Sequence, residues 1–324
     1  MPSSTGSPDP APLSIVVPCF NEENSLVPLH EALREAVPGV PVEFVFVDDG
    51  STDGTLEVLR KLAAEDPSVR YTSFSRNFGK EAAMLAGLRR ATGDAVVILD
   101  ADLQHPPRLL PRMLQLHRQG FDQVVATRDR RGEAFLRRTT ARLFYRTVNR
   151  WIDVRLDDGA GDFRLLSRRA VDAILALPEY NRFAKGLFSW IGFSTVVLPY
   201  PNERRRTGRS SWTAGRLINY AFDGLLSFND KPLRLALYGG LLATVFALGY
   251  ALWVVAHAVV SGVDVPGYTT IIVAVIGMGG FQAVLLGMIG EYVGRIYRES
   301  KRRPHFLIGE TDEDAARVPA QRRG

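Results

Sequence analysis

The run Ala95-Val96-Val97-Ile98-Leu99 ends abruptly in Asp100-Ala101-Asp102, two carboxylates one residue apart. An apolar run of this length reads as a buried parallel strand, and the residues just past its C-terminal end face the crevice where ligands collect. Two carboxylates there repel each other unless a cation stands between them. Mg²⁺ carrying a diphosphate suits the pair, because that ion is usually held by one or two carboxylates together with phosphate oxygens. An acidic turn, with Asp102 capping the helix that follows, is the competing role. Two more polar clusters follow apolar runs: Asn21-Glu22-Glu23 and Asp48-Asp49-Gly50-Ser51. Turn formation and helix capping around Gly50 and Gly54 compete with ligand binding for Asp48, Asp49 and Asp53. Three acidic clusters at strand exits are more than solvated turns require.

The elements that must position these groups alternate along the chain. Strands are predicted at Leu13–Pro18, Val42–Val47, Val69–Phe74, Ala95–Leu99 and Gln123–Ala126. Helices are predicted between them at Ser25–Val37, Thr55–Ala64, Lys80–Ala91 and Arg108–Gln119, with Ser25 and Asp53 as N-terminal caps for the first two. Regular βαβ alternation implies an α/β fold with a mostly parallel sheet covered on both faces.

The chain has 324 residues, a formal charge of +5 and a pI near 9.4, which suits an anionic partner. Cys19 is the single cysteine, so neither a disulfide framework nor a cysteine–zinc site is available, and the five histidines form no metal-spaced set. Residues 1–12 are rich in Pro and Ser and read as a disordered tail, with no secretion signal.

Composition changes sharply near residue 231. Leu235 to Val260 contains no Asp, Glu, Lys or Arg, and Tyr268 to Gly290 is again uncharged. Each stretch exceeds the roughly 20 residues a helix needs to cross a bilayer. Lys231 and Arg234 precede the first; Arg295, Arg298, Lys301, Arg302 and Arg303 follow the second. The positive-inside rule then places both ends in the cytoplasm and Ser261–Gly267 outside. Thr213–Asn229 is amphipathic and predicts a helix lying on the membrane or packed against the soluble domain. The resulting organisation is a tail over 1–12, a catalytic domain over 13–212, an interfacial helix over 213–230, two transmembrane helices over 231–298 and a cytoplasmic tail over 299–324, mobile from Gly309. Ala283/Gly287 and Gly290/Gly294 have small-xxx-small spacing, which serves either packing against the first span or a homo-oligomer.

Taken in order, Val16-Val17-Pro18-Cys19-Phe20-Asn21-Glu22-Glu23, Val47-Asp48-Asp49-Gly50-Ser51-Thr52-Asp53-Gly54-Thr55, Arg76-Asn77-Phe78-Gly79-Lys80-Glu81, Asp100-Ala101-Asp102-Leu103-Gln104 and Gly161-Asp162-Phe163-Arg164-Leu165 resemble a family 2 glycosyltransferase of GT-A fold. With two C-terminal spans the more specific resemblance is to polyprenyl-phosphate glycosyltransferases, the group that includes bactoprenol glucosyltransferases and dolichol-phosphate mannose synthases. The likeness covers about residues 13–300. His105 departs from the Asp common in the family, and Ser210-Ser211-Trp212 stands where Ser-Lys-Tyr is frequent, which removes a phosphate-facing lysine.

The resemblance implies roles. Pro18, Asn21, Glu22 and Asp49 form the nucleotide cradle, with Lys80 near the diphosphate or merely solvated. Asp100 and Asp102 hold Mg²⁺ or Mn²⁺, and Asp102 and Asp162 are the catalytic carboxylates. Asp162 serves as base or orients the sugar or a basic partner; a capped turn is its structural alternative. Arg128, Arg137 and Arg138 grip the acceptor phosphate by bidentate contacts or form a basic face near anionic headgroups. The implied reaction is inverting transfer of a hexose from a nucleotide diphosphate sugar, UDP-glucose before GDP-mannose, to a polyprenyl phosphate at the cytoplasmic membrane face. A processive polysaccharide synthase is disfavoured because Thr147 stands at the Gln position before Arg150-Trp151. A non-catalytic scaffold or lipid carrier is disfavoured by the intact carboxylates. Nucleic-acid binding is disfavoured because many basic residues flank the apolar spans.

Overall fold

The computed structural model describes residues 13–129, 160–180, 182–201, 231–261 and 267–317. They fall into two compact units, one holding the sheet and the C-terminal residues from 303, the other the long helices.

The sheet unit runs β1 (Leu13–Cys19), α1 (Leu26–Ala36), β2 (Val42–Asp48), α2 (Thr55–Glu65), β3 (Val69–Phe74), α3 (Lys80–Arg90), β4 (Ala95–Ile98), α4 (Leu110–Arg118), β5 (Gln123–Asp129), β6 (Ala160–Ser167), α5 (Arg168–Leu175), α6 (Ala184–Trp190) and β7 (Thr195–Pro201). Five strands and four helices thus stand where apolar runs and helical spacing predicted them. β1 is buried at all seven positions because both its faces are covered. Leu13, Ile15 and Val17 pack with α1, α2 and α4, whereas Val16 joins Met84 and Leu88 of α3 and Ala170, Val171 and Ile174 of α5. Gly87 lets α3 lie close on β1: a Cβ there would stand 2.2 Å from Val16 Cγ1.

With a last strand β8 (Ile308–Thr311), the strand order is β7-β5-β6-β4-β1-β2-β3-β8. Four of the seven pairings are parallel; β6 runs antiparallel between β4 and β5, and β8 antiparallel beside β3. The sheet is therefore more mixed than βαβ alternation suggested. β6 was not predicted because Asp162 and Arg164 interrupt its apolar pattern.

The expectation of a mobile tail from Gly309 gives way to an ordered segment. β8 (Ile308–Thr311) closes the sheet edge, and a short helix follows at Asp312–Arg317. Phe306 stacks on Phe74 with ring centres 4.8 Å apart, and Arg60 clasps Glu310 with both guanidinium arms, at 2.8 and 2.5 Å. Arg90 pairs with Asp312 at 2.6 Å. The tail lacks a burial signal because its anchoring is charge and edge-strand hydrogen bonding.

Ser25 starts α1 but does not cap it; its hydroxyl donates to the Glu22 carbonyl and carboxylate. The N-cap of α2 is Gly54 rather than Asp53, which lies one residue before it and accepts from Thr55 N at 3.1 Å.

The second unit contains two long helices, α7 (Lys231–Ser261) and α8 (Tyr268–Ser300). Gly239 and Gly240 of α7 face Phe281 and Leu285 of α8. Among the described residues nothing lies within 4 Å of where a side chain would begin on Gly287, Gly290 or Gly294. The two spans expected from the sequence are only partly met. Both helices form where predicted, yet among the described residues no helix is long and apolar enough to cross a membrane. Side chains at 231–237 and at several later positions of both helices lie outside the description. The interfacial helix expected over 213–230, the 1–12 tail, Arg137 and Arg138 also lie outside the described residues.

Candidate active site

β1 leads to β2 on one side, and β4 returns to pair with β1 on the other. The strand order therefore reverses between β1 and β4, and a crevice opens beyond their carboxyl ends, where α/β sheets bind ligands. Here it is a cleft of about 420 Å³ whose walls include Pro18, Glu22, Asp49, Lys80, Asp100 and Asp102.

Two exit loops are braced against each other. Asn21 adopts φ +57°, a left-handed conformation that asparagine tolerates, and its side chain accepts from Thr52 N at 2.9 Å. Glu22 N donates to Thr55 Oγ1 at 2.9 Å. Gly50 has φ +67°, and a Cβ there would meet the Arg76 carbonyl carbon at 2.4 Å, so only glycine lets the 76–79 loop close over β2. Asp49 holds that loop from below, accepting from Phe78 N at 2.6 Å and Gly79 N at 2.9 Å. Burial raises its pKa despite those bonds.

Lys80, the first residue of α3, bridges two carboxylates. Its Nζ lies 2.5 Å from Asp100 Oδ1 and 2.5 Å from Asp162 Oδ2. Burial alone would lower the Lys80 pKa, but Asp162 and Asp100 hold the ammonium above the ordinary lysine range. The converse holds for the acids. Burial opposes ionisation of Asp100 and Asp162, yet His105 and Lys80 keep the first, and Lys80 and Lys185 the second, below the usual carboxylate range. Beside them burial pushes Glu81 up to about 7, while its carboxylate accepts from Ala184 N at 3.1 Å.

The turn after β4 carries a strained residue. Leu103 has φ +56° and is exposed, a conformation costing a bulky side chain roughly 1–2 kcal/mol. Past it, His105 is buried, with Nε2 3.4 Å from Asp100 Oδ2 and Nδ1 2.9 Å from the Tyr200 hydroxyl. Arg128, on β5, donates to that hydroxyl and to Gln104 Oε1, both at 3.1 Å.

The structure thus brings Pro18, Glu22, Asp49, Lys80, Asp100 and Asp102 to one cleft, with Asp162 joined through Lys80. Asn21 braces the loop and is not among the lining residues. Asp162 sits within β6 rather than in the capped turn that was its structural alternative, and its partner is basic. Sequence reasoning undervalued Lys80 and missed Glu81, Lys185 and Tyr200; nothing local to Tyr200 signals its role.

Among the described residues no group of three or more His, Cys, Asp or Glu side chains could hold a metal alone. The pair nevertheless fits an ion that brings its own oxygens. Asp102 is exposed at the cleft, with Oδ1 accepting only from Gln104 N at 3.0 Å among the bonds described, and a diphosphate would complete the set.

Residues 14–175 match the model of glycosyl transferase family 2, and residues 231–296 match that of the GtrB C-terminal hairpin. A bactoprenol glucosyl transferase of Shigella phage SfX is 42% identical over 91% of this chain and 98% of its own. A prophage bactoprenol glucosyl transferase homolog of Escherichia coli K12 is 40% identical over the same shares. A solved mannosyltransferase of Pyrobaculum calidifontis, in complex with GDP-Man and Mn²⁺, is 19% identical with TM-score 0.47, covering 90% of each chain. Identity of this extent to whole relatives, joined to carboxylates gathered at the switch point of a mixed α/β sheet, places the chain in glycosyl transferase family 2 as a glycosyltransferase with a C-terminal helical hairpin.

Proposed function

We propose that the chain transfers a hexose from a nucleotide diphosphate sugar to a polyprenyl phosphate on the cytoplasmic face of a membrane, with inversion at the anomeric carbon. The observation that carries this reading is the cleft at the β1/β4 switch point, where Asp100 and Asp102 stand beside a lysine locked between carboxylates. The names of the phage and prophage relatives support the lipid acceptor and make UDP-glucose the first donor to try.

Pro18, Glu22 and Asp49 line the nucleotide end, and Lys80 offers a fixed positive charge toward the diphosphate. Mg²⁺ or Mn²⁺ held by Asp100 and Asp102 would offset the charge growing on the departing nucleoside diphosphate. Arg128 is suited to the acceptor phosphate. A phosphate monoester loses its second proton near pH 6, so it is largely dianionic at neutral pH and needs little help from a base. The pairing of Asp162 with Lys80 accordingly supports an orienting role for that carboxylate.

Membrane attachment is inferred from the uncharged runs 235–260 and 268–290 and from helices about 46 and 50 Å long at 1.5 Å per residue. The chain leaves the sheet unit after β7 and rejoins the same sheet at β8, which supports both flanks of the hairpin lying on one side of the membrane, and the basic residues beside the two runs support that side being cytoplasmic. The exposed glycines of α8 leave a homo-oligomer open to measurement.

The test is a donor panel. Full-length protein in detergent is incubated with polyprenyl phosphate, Mg²⁺ or Mn²⁺, and UDP-glucose, GDP-mannose or other nucleotide sugars, and the lipid is weighed by mass spectrometry. A hexosyl phosphoryl lipid from UDP-glucose is expected. Product from GDP-mannose alone would reassign the donor, and no lipid product from any donor would overturn the reading.

A further inference from the structure

Between Arg128 and Asp100 runs an unbroken line of side chains from three separated parts of the chain. Arg128 stands on β5, Tyr200 on β7, and His105 and Asp100 in the segment after β4. The links measure 3.1 Å from Arg128 Nε to the Tyr200 oxygen, 2.9 Å from that oxygen to His105 Nδ1, and 3.4 Å from His105 Nε2 to Asp100 Oδ2. The two middle members are almost completely buried, at 3% and 4% exposure, and Phe163 packs against both rings, 5.1 Å from His105 and 6.5 Å from Tyr200. Beyond Asp100 the line continues through Lys80 to Asp162.

The donors along this line can be ordered. A guanidinium only donates, so the phenol oxygen accepts from Arg128. The single phenol proton is then directed to His105 Nδ1. That leaves Nε2 carrying the imidazole proton and facing Asp100 at 3.4 Å, a charge contact longer than an ordinary hydrogen bond, to a carboxylate that only accepts when ionised. The order runs in one direction from Arg128 to Asp100. A histidine merely filling space beside Phe163 would not need a buried tyrosine on one nitrogen and a cleft carboxylate on the other.

We propose that Tyr200 and His105 are positioning residues that fix Arg128 relative to Asp100, and so hold the acceptor phosphate in line with the donor. The proposal rests on the reading above in placing the acceptor at Arg128 and the diphosphate at Asp100. Removing the phenol oxygen keeps the packing but frees one arm of Arg128 and one nitrogen of His105. The consequence is misalignment between two substrates rather than loss of either site.

The experiment uses the full chain in detergent and the variant Tyr200→Phe. With polyprenyl phosphate and UDP-glucose, kcat should fall by about 10- to 100-fold, the range that small misplacements of reacting groups produce. The donor KM should stay within about twofold, and the thermal midpoint close to that of the unchanged protein. In an Arg128→Ala background the same substitution should add little, because the residue it acts through is gone. Wild-type kcat in Tyr200→Phe, or a full additional loss in the double variant, overturns the proposal. A readout without turnover separates this inference from the reading it rests on. In ¹⁵N-histidine-labelled protein, with the resonance assigned by His105→Gln, His105 should show the Nε2–H tautomer, and its Nδ1 signal should move in Tyr200→Phe. An Nδ1–H tautomer overturns the relay. An intact signature with no lipid product from any donor upholds the relay and overturns the function; lipid product with an inert Tyr200→Phe does the reverse.

Discussion

Glu310→Ala should destabilise the sheet unit well beyond what loss of a surface charge would suggest. Both oxygens of Glu310 are engaged by the Arg60 fork, and Oε1 also accepts from the Tyr71 hydroxyl at 2.6 Å. The ion pair is partly exposed, 43% at Arg60 and 26% at Glu310, so it contributes at most about 1 kcal/mol even with bidentate geometry. The larger loss is at Tyr71, a residue only 1% exposed. Stripping a buried hydroxyl of its acceptor costs about 1–2 kcal/mol. The total of about 2–3 kcal/mol corresponds to a fall of about 4–12 °C in the melting midpoint at 2–4 °C per kcal/mol for a unit of this size. The assay is thermal unfolding of the full chain followed by tryptophan fluorescence. Because the cost lies in an orphaned hydroxyl, Tyr71→Phe in the Glu310→Ala background should recover about 1 kcal/mol or more. A midpoint lowered by less than about 1 °C, or a double variant no more stable than Glu310→Ala, would show that β8 is not anchored as argued.

Asp102→Asn keeps an oxygen to accept from Gln104 N, so folding should be unchanged. Changes to outer-shell groups alone cost 10–100-fold at metal sites, so turnover should fall by about 100-fold or more. EDTA should abolish wild-type turnover, and full activity in chelator would remove the metal from the mechanism. Glu81 ionises near pH 7 in the folded chain and near 4.3 unfolded, so its contribution favours folding below about pH 4.3 and is lost as pH rises through 7. Glu81→Gln should therefore gain on the wild type by on the order of 2–3 kcal/mol between pH 5 and pH 8 in denaturant titrations, and an equal pH slope in both proteins would refute the assignment. Gly87→Ala, whose new methyl would stand 2.2 Å from Val16 Cγ1, should lose about 1–3 kcal/mol, with partial recovery on adding Val16→Ala. For topology, Gly262→Cys in a Cys19→Ser background should react with an impermeant thiol reagent in intact cells; labelling only after lysis would contradict two crossings.

Much of the catalytic frame is legible from local pattern. β1, β2 and β4 carry apolar runs that end in polar turns, the signature that burial on two faces leaves wherever such a strand lies. The carboxylates at the ends of β1, β2 and β4 are equally legible, because a charged residue directly after a buried run has only the crevice or solvent to face. Asp100 and Asp102, Asp49 and Glu22 were found in this way, and the ordered motifs carried the family. The alliances among those charges were not legible. Lys80 and Asp162 are 82 residues apart in the chain and meet only because β6 inserts antiparallel beside β4. Tyr200 lies 95 residues from His105 and reaches it because β7 pairs with β5 rather than following β6 in the sheet. The C-terminal strand lies 250 residues beyond the arginine that holds it, with none of its four residues buried. A local pattern records whether a segment buries one face. It holds no record of which distant charge will neutralise which, since that depends on strand order, and strand order is settled only when the sheet assembles.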